Sequence, residues 1–238
     1  MLTSIIRAFG YEITRRDKHP SSNSHLINFL NQYDIDTVLN IGANFGQFAK
    51  MLRSEGYLEE IHSFEPVSTS YDQLCHVARN DKKWFTYKLA MSDFCGEDKI
   101  NVVNDLAFSS FLKPNGFAIK DFKNLQVDRT ETVQVSTLND FFNHHMQKFS
   151  TRRIFLQMDT QGFDLKVFAG ASEHLQNIIG ILSEISFTPI YNEMPHYLEA
   201  LKYYEEYGFV VTGLYPISRK KDLAVIEMDC MLLNNNRA

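Results

Sequence analysis

Two short stretches of the sequence carry residues suited to holding a nucleoside. Gly42 and Gly46 follow the apolar, β-type run Thr37–Ile41, and a helical pattern begins at once with Phe48. Glycine allows a tight turn and a close approach of the backbone to a ligand, and a helix N-terminus offers unpaired N–H groups. Glu65 ends the next apolar run, where a carboxylate can accept hydrogen bonds from a ribose diol. The alternative interpretation is an ordinary strand–helix turn followed by a surface glutamate.

The spacing of the glycines distinguishes between nucleoside cofactors. A dinucleotide fingerprint has a second glycine where the pyrophosphate lies against the backbone, whereas this chain has Asn44 between Gly42 and Gly46. The pattern therefore argues against NAD and FAD. It favours a cofactor that has a ribose but no phosphate, and S-adenosylmethionine is the common cofactor of that kind.

Two acids lie at or near the ends of apolar runs further along the chain. Asp159 comes directly after Ile154–Met158, and Glu184 lies within the run Ile179–Ile185. Ligands of open α/β sheets bind at the carboxyl ends of the strands, so both acids are candidates for chemistry. A positioned base speeds a reaction by roughly 10²–10⁴-fold, and Asp159 is the first candidate for a base that deprotonates a hydroxyl group. Asp159 could instead only position a cofactor, and Glu184 could be a structural acid bonded to the backbone.

Segments with strand-like and helix-like periodicity alternate along the chain, which indicates an α/β fold with a parallel sheet and helices on both faces. The last two extended segments, Phe209–Leu214 and Leu223–Leu233, are joined by a turn too short for a parallel crossover, so they must pair antiparallel. We expect a helical extension at residues 1–34 that packs on a single domain at residues 35–238. Within that domain, weak periodicity from about residue 104 to 131 predicts an inserted loop or lid.

The composition excludes several classes of protein. The chain has 238 residues and a formal net charge of −5 at pH 7, and this acidic balance argues against a nucleic-acid partner. No apolar run approaches the roughly 20 residues of a membrane-spanning helix. The three cysteines, at positions 75, 95 and 230, form no C-x-x-C pair, and the eight histidines show no ligand spacing, so no metal site is predicted. A few scattered cysteines are typical of a reducing cytoplasm, which is the expected location.

Five segments, in chain order, resemble the FkbM family of methyltransferases: the Gly42–Gly46 turn, Phe64-Glu65-Pro66, Phe155–Ala171, Leu182–Phe187 and Glu227–Leu232. Within the third segment, Asp-Thr-Gln-Gly at positions 159–162 resembles the motif of a branch often associated with surface-glycan clusters. The resemblance extends from about Asp36 to Leu233.

This resemblance implies a class I methyltransferase fold, which is Rossmann-like, with a seven-stranded, mostly parallel sheet and a C-terminal antiparallel strand. It also implies an S-adenosylmethionine-dependent O-methyltransferase whose acceptor is a sugar hydroxyl of a bacterial surface glycan or its precursor. A methyltransferase acting on a hydroxyl or carboxyl group of a natural product is the alternative among enzymes. A non-catalytic module that keeps the fold and binds the cofactor or another ligand is the alternative outside them. The oligomeric state stays open.

The resemblance and the residue types together give three sets of candidate positions. Asp159 and Glu184 are the candidates for catalysis. The expected cofactor-binding residues are Asn40, Gly42, Ala43, Asn44, Gly46, Gln47, Phe48, Glu65, Met91, Ser92 and Asp159. The expected acceptor-binding residues are Ser110, Phe111, Gln161 and Tyr191. Because its side chain is neutral, Gln161 would orient a hydroxyl group rather than deprotonate it.

Three positions differ from the residues that are usual in the family. Asn40 stands where Asp is usual, Gln157 where Lys is usual, and Asp164 where Glu is usual. Asn40 lacks a charge that could help to hold the amino group of the cofactor, but it keeps its hydrogen-bonding capacity.

Overall fold

The structure, a computed structural model, describes residues 18–144 and 151–236 together with Ile6, Phe9, Gly10 and Phe149. Most of residues 1–17 in the expected N-terminal extension lie outside the described residues. The later part of that extension forms helix α1, Ser22–Gln32, and the Ser21 side chain caps it by accepting a hydrogen bond from the Ser24 N–H.

A seven-stranded sheet lies at the centre of the molecule. Its strands are β1 Thr37–Ile41, β2 Glu60–Phe64, β3 Trp84–Tyr87, β7 Ile154–Met158, β8 Ile178–Ser186, β9 Phe209–Arg219 and β10 Val225–Asn234. The spatial order is β3-β2-β1-β7-β8-β10-β9, and the first five strands run parallel. The carboxyl ends of β1 and β7 are therefore neighbours, so the turn after β1 meets the segment after β7.

The last strand closes the sheet as the sequence predicts. β10 lies between β8 and β9 and pairs antiparallel with both. The expected antiparallel pairing of the two final segments is thus confirmed, as is the mostly parallel, seven-stranded fold class. β9 extends to Arg219, beyond the predicted end at Leu214, because its pairing with β10 continues as far as Arg219.

Helices cover both faces of the sheet, and two hydrophobic cores result. On one face, α1 packs with α2 Gln47–Ser54 and α3 Ser68–Ala78. On the other face, α5 Leu138–His144, α6 Asp164–Ala169 and α7 Tyr197–Glu206 pack around aromatic side chains such as Phe142 and Phe168. β1 and β7, in the middle of the central sheet, are buried on both sides, which is why most of their residues are apolar.

A second, three-stranded sheet lies beside the first. It consists of β4 Ala90–Met91, β5 Gly96–Val103 and β6 Val127–Ser136, in the spatial order β4-β6-β5. The chain between β5 and β6, residues 104–126, is called the β5–β6 segment below; it includes a short 3₁₀ turn and helix α4, Gly116–Asp121. Residues 127–131 of the expected insertion belong to β6. Within the described ranges, every helix is too short or too polar to cross a lipid bilayer.

Candidate active site

The turn after β1 touches the segment that follows β7. Gly42 and Gly46 have φ angles of +78° and +81°, which glycine adopts without steric strain. A Cβ atom at Gly42 would lie 2.0 Å from the carbonyl oxygen of Asp159, so a larger residue would push the two segments apart. The Asp159 N–H donates to the Ile41 carbonyl oxygen at 3.0 Å, which fixes the same contact from the other side.

Glu65, directly after β2, is held by two backbone groups. Its Oε2 accepts a hydrogen bond from the Asn44 N–H and its Oε1 accepts one from the Val67 N–H, both at 2.8 Å. The residue is only 5% exposed. Burial raises the pKa of Glu65 to about 7, although the two N–H donors lower it, and the nearby charges of Asp159 and Glu131 add to the rise.

A crevice of about 530 Å³ opens beside Glu65, and we call it the Glu65 crevice. It is lined by Ile41, Gly42, Asn44, Phe64, Glu65, Pro66, Val67, Leu89, Ala90, Met91, Ile100, Leu106, Ala107, Ser109, Ser110, Phe111, Asp159, Thr160 and Phe163. Most of these side chains are apolar, so the crevice suits a flat heterocycle, while the Glu65 carboxylate is available to a diol.

A second crevice, of about 830 Å³, lies on the α1 side of Asp159, and we call it the Asp229 crevice. It is lined by Ser22, Asn23, Leu26, Asn40, Gly42, Ala43, Asn44, Gln47, Phe48, Met51, Ala107, Gln157, Asp159, Leu182 and Asp229. The two crevices share Gly42, Asn44, Ala107 and Asp159, so they meet at the Asp159 carboxylate. The charged residues among those that line them are all acids, namely Glu65, Asp159 and Asp229.

Gln161 joins the two candidate catalytic acids. Its side-chain Nε2 donates one hydrogen bond to Asp159 Oδ1 at 2.8 Å and another to Glu184 Oε2 at 3.0 Å. Gln161 itself is buried and has a φ angle of +54°, in the left-handed region. The Asp159 side chain is exposed to the crevices, whereas Glu184 is partly buried behind Gln161 and lines neither of them.

The surroundings of this pair favour its protonated forms. Although Asp159 faces the crevices, the protein around it displaces bulk water and raises its pKa to about 6, while the hydrogen bond from Gln161 opposes the rise. Burial raises the pKa of Glu184 well above its usual range, and the charges of Asp159 and Glu227 add to that shift. Both shifts have the same direction, and the two acids interact closely enough to titrate as a coupled pair.

Asp164, at the start of α6, has a structural role in this arrangement. It is buried and accepts hydrogen bonds from the Thr160 N–H at 3.0 Å, the Ser183 Oγ–H at 2.7 Å and the Glu184 N–H at 3.1 Å. These bonds tie the turn after β7 to the end of β8. Asp is short enough to cap both backbones, so the departure from the usual Glu leaves a well-bonded side chain here.

The β5–β6 segment is bonded to the same turn. Ser110 Oγ donates to the Gln161 carbonyl oxygen at 2.8 Å. The Tyr191 Oη lies 2.9 Å from Gln161 Oε1 and 2.8 Å from the Phe108 carbonyl oxygen, so its single proton is shared between the two acceptors. The positions of the β5–β6 segment and of the Gln161 side chain are therefore linked.

The structure brings most of the predicted cofactor residues to the two crevices. Nine of the eleven line one crevice or both: Asn40, Gly42, Ala43, Asn44, Gln47, Phe48, Glu65, Met91 and Asp159. Gly46 and Ser92 line neither; Gly46 packs against Trp84, and Ser92 Oγ donates to Asp93 Oδ1. Among the predicted acceptor residues, Ser110 and Phe111 line the Glu65 crevice, whereas Gln161 and Tyr191 lie behind it, bonded to other protein groups. Their roles stay predictions.

Sequence reasoning did not single out Asp229, Gln157 or Ser22 as lining residues. Asp229 lies on β10 opposite Glu184, and its Oδ2 accepts a weak hydrogen bond from Ser22 Oγ at 3.4 Å. The sequence indicates Asp229 only through the alternation Glu227-Met228-Asp229, because acids two residues apart in a strand point to the same face of the sheet. Gln157 pairs in register with Asn40 on β1, so two of the three departures from the family pattern are neighbours.

The arrangement of donors and acceptors fits S-adenosylmethionine. The Glu65 crevice offers apolar walls for an adenine ring and a carboxylate for the ribose diol. The side-chain oxygens Asn40 Oδ1 and Asn44 Oδ1 have no hydrogen-bond partner among the described residues, and both residues line the Asp229 crevice. Free acceptors of this kind suit the methionine amino group. In the described part of the chain, no cluster of three or more His, Cys, Asp or Glu is arranged to hold a metal ion.

Comparison with known proteins places the chain in a family. Residues 40–211, more than half of the chain, match the methyltransferase FkbM domain. No curated protein has a significantly similar sequence.

Among solved structures, fibrillarin from Aeropyrum pernix in complex with S-adenosyl-L-methionine has 11% identity and a TM-score of 0.46, over 83% of this chain and 66% of that chain. An rRNA methylase from Streptococcus thermophilus has 10% identity and a TM-score of 0.45, over 94% and 99% of the two chains. Magnesium protoporphyrin IX methyltransferase from Synechocystis PCC 6803, with bound S-adenosylmethionine, has 9% identity and a TM-score of 0.47, over 90% and 78%.

The sequence match covers all the residues that line the Glu65 crevice and most of those that line the Asp229 crevice. The chain belongs to the FkbM family of methyltransferases, and its cofactor is S-adenosylmethionine.

Proposed function

We propose that the protein transfers the methyl group of S-adenosylmethionine to a sugar hydroxyl of a bacterial surface glycan or of its precursor. The observation that carries this proposal is the position of the Asp159 carboxylate, which lines both crevices at the point where they meet. A carboxylate there can take the proton that a hydroxyl group loses on methylation. The proposed location is the cytoplasm, in keeping with the few scattered cysteines.

Different residues of the two crevices would bind different parts of the cofactor. When bound, S-adenosylmethionine supplies an electrophilic methyl group on its sulfonium sulfur. Glu65 would hold the ribose diol, Met91 and Phe163 would enclose the adenine, and Asn40 and Gln47 would surround the methionine. The β5–β6 segment contributes Leu106, Ala107 and Phe111 to the wall and is the proposed lid, since it would exclude water from the reacting groups.

Asp159 is the proposed general base. With a pKa raised to about 6, it is ionised near neutral pH and is a stronger base than an ordinary aspartate. Gln161, which is itself bonded to Glu184, holds the carboxylate in place from behind. The free Asp159 oxygen is then available to an acceptor hydroxyl, and alignment of that hydroxyl with the methyl group supplies much of the remaining rate.

The charges around Asp159 favour a neutral acceptor. The charged side chains that line the crevices are Glu65, Asp159 and Asp229, and the acid Glu227 lies just behind them. A carboxylate acceptor would be repelled by this group of acids, whereas a sugar hydroxyl carries no charge. The amide and hydroxyl side chains of the Asp229 crevice, such as Asn23 and Gln157, are suited to hydrogen bonds with a polyol.

The test is a methyl-transfer assay with S-adenosylmethionine labelled on its methyl group. The acceptors offered are neutral mono- and oligosaccharides, a set of hydroxylated small molecules, and their carboxylic-acid counterparts. Transfer to a neutral sugar that is lost in Asp159→Asn supports the proposal. Transfer to carboxylic acids in preference to sugars would overturn the acceptor assignment. Binding of S-adenosylmethionine by calorimetry without transfer to any acceptor would instead favour a binding module.

A further inference from the structure

The orientation of the Gln161 side chain decides how the two catalytic acids are held. Its two Nε2 hydrogens are used by Asp159 Oδ1 at 2.8 Å and by Glu184 Oε2 at 3.0 Å, so the amide bridges the pair. Its Oε1 points the other way, toward the Tyr191 hydroxyl at 2.9 Å. The side chain is buried, and water has little access to replace any of these bonds.

A carboxamide can turn by half a rotation and exchange its oxygen and nitrogen at little cost in shape. In the turned orientation, Gln161 Oε1 would face two carboxyl groups, and the bridge would be lost. A hydroxyl that donates to Oε1 selects the bridging orientation. Tyr191 has such a hydroxyl and cannot move away, because its ring is 1% exposed and packs among Ile190, Met194 and Ile226.

We propose that Tyr191 is a positioning residue whose hydroxyl holds the Gln161 amide as a bridge between Asp159 and Glu184. The proposal rests on the proposed role of these acids in methyl transfer. Tyr191 lines neither crevice, and its hydrogen bond to Gln161 Oε1 is its link to the two acids.

The same hydroxyl links the bridge to the β5–β6 segment. Tyr191 Oη lies 2.8 Å from the Phe108 carbonyl oxygen, and Ser110 Oγ donates to the Gln161 carbonyl oxygen at 2.8 Å. Asn101 Nδ2 is within 3.2 Å of the carbonyl oxygens of Ser110, Phe111 and Leu112, which shapes the segment around these contacts. The Tyr191 hydroxyl and the Gln161 residue therefore contact both the bridge and the β5–β6 segment.

The electrostatic consequence can be measured without a substrate. The titratable groups that face the pair are Asp164 on α6, Glu227 and Asp229 on β10, Glu65 after β2, and Tyr191 itself. All are acidic groups, so the N–H donors of Gln161 are the main local support for ionisation of the pair. Loss of the bridge should raise the apparent pKa values of the pair.

The experiment follows the carboxyl carbons of Asp159 and Glu184 by carbon-13 NMR across a pH titration of the full chain. In Tyr191→Phe, the apparent pKa values of the pair should rise by about half to one pH unit. Backbone amides around Ser110 and Leu112 should exchange with deuterium roughly five- to tenfold faster, since one hydrogen bond to the segment is lost. Gln161→Met, which keeps the length of the side chain but removes both donors, should shift the titration at least as far.

Two comparisons separate this role from simple packing. Tyr57→Phe removes another buried tyrosine hydroxyl, one that has no hydrogen-bond partner among the described residues, and it should leave the titration of the pair unchanged. In the Gln161→Met background, Tyr191→Phe should cause no further shift, because Tyr191 acts through Gln161.

An unchanged titration in folded Tyr191→Phe or in Gln161→Met would overturn the proposal. A Tyr191→Phe shift that persists in full in the double variant would overturn it as well. If Tyr191→Phe does not fold, the Gln161→Met titration still tests the bridge on which the role of Tyr191 depends. The NMR titration and the deuterium exchange need neither an acceptor nor turnover. Failure of the methyl-transfer proposal would appear in the labelled-methyl assay instead, so the two failures can be distinguished.

Discussion

Two of the three carboxyl groups that line the crevices, those of Glu65 and Asp159, are held in different ways. Glu65 accepts hydrogen bonds from the backbone N–H groups of Asn44 and Val67, both at 2.8 Å. Asp159 is held by a side chain, that of Gln161, which depends in turn on Tyr191 and the β5–β6 segment. Backbone donors are fixed as soon as the sheet forms, whereas a side-chain donor also needs the right rotamer and the right neighbours.

In the proposed mechanism, this difference separates cofactor binding from chemistry. The proposed cofactor end is built from two turns at the edge of the central sheet, so it forms together with the sheet. The acid end is completed by residues from four distant parts of the chain: the turn after β7, β8, the β5–β6 segment and Tyr191. We expect the first end to respond mainly to backbone changes and the second to changes in side-chain polarity.

The largest effect should come from the backbone contact between the two ends. Gly42→Ala places a Cβ atom 2.0 Å from the Asp159 carbonyl oxygen, at a φ angle of +78°. Strain and overpacking together should lower the free energy of unfolding by roughly 2–5 kcal/mol and abolish cofactor binding. Urea denaturation and calorimetry with S-adenosylmethionine measure the two consequences.

Gly56→Ala is the matched control for that change. Gly56 has a φ angle of +91°, but a Cβ atom there would meet nothing within 4 Å. The Gly56→Ala substitution therefore has the conformational cost of a left-handed backbone but no steric clash. It should leave the affinity for S-adenosylmethionine unchanged. If the two substitutions have equal effects, the contact between Gly42 and Asp159 contributes nothing to the free energy of unfolding or to cofactor affinity.

The next effect concerns the acid end alone. Asp159→Asn keeps the shape of the side chain but removes the base, so turnover should fall by about 10²–10⁴-fold with little change in cofactor affinity. Glu184→Gln should reduce turnover less, because Glu184 lies behind Gln161 and away from the crevices. A rise in the cofactor dissociation constant at unchanged turnover would show that Asp159 only positions the cofactor.

The corresponding change at the cofactor end should affect binding and not chemistry. Glu65→Ala removes the carboxylate expected to accept the ribose diol, which should weaken S-adenosylmethionine binding by roughly 1.5–3 kcal/mol. Turnover at saturating cofactor should stay near that of the wild type. Calorimetry on the folded variant measures the loss, and unchanged affinity would remove Glu65 from the cofactor site.

The same contrast explains which parts of the molecule were predictable from the sequence. The strands, the closing antiparallel pair and the Gly42–Gly46 turn follow from local periodicity and glycine placement, and the structure agrees with them. Contacts between side chains far apart in sequence depend on strand register, which local patterns do not specify. The sequence alone therefore did not reveal that Asn40 and Gln157 are cross-strand neighbours.

Because β1 and β7 pair in this register, the departures at Asn40 and Gln157 have to be interpreted together. Since Asn40 replaces the usual Asp and Gln157 replaces the usual Lys, opposite charges are lost at adjacent positions, and the net charge of the crevice is preserved. Exchange of a buried ion pair for neutral groups is often close to neutral in stability. Likewise, the bridging role of Gln161 depends on a left-handed backbone that only the folded turn reveals.

The smallest effect, and the most specific to the cofactor end, is the pH dependence of cofactor affinity. Glu65 has a pKa of about 7 in the free protein, so it is mostly protonated at pH 6 and mostly ionised at pH 8. The ionised form accepts the stronger hydrogen bonds from a ribose diol. Affinity is reduced by the fraction of protein that is protonated, so it should be about tenfold weaker at pH 6 than at pH 8. The direction follows from the raised pKa of Glu65: the cofactor must displace a proton at low pH and need not do so at high pH.

An α-amino group such as that of the cofactor titrates at about pH 7.7–8.0, so the comparison must be made with Glu65→Ala in the same buffers. The variant should lose the tenfold change and keep only the contribution of the cofactor itself. Calorimetry in two buffers with different heats of ionisation should also detect proton release on binding at pH 6 in the wild type alone. Identical pH profiles for the two proteins would mean that Glu65 does not exchange its proton for the cofactor.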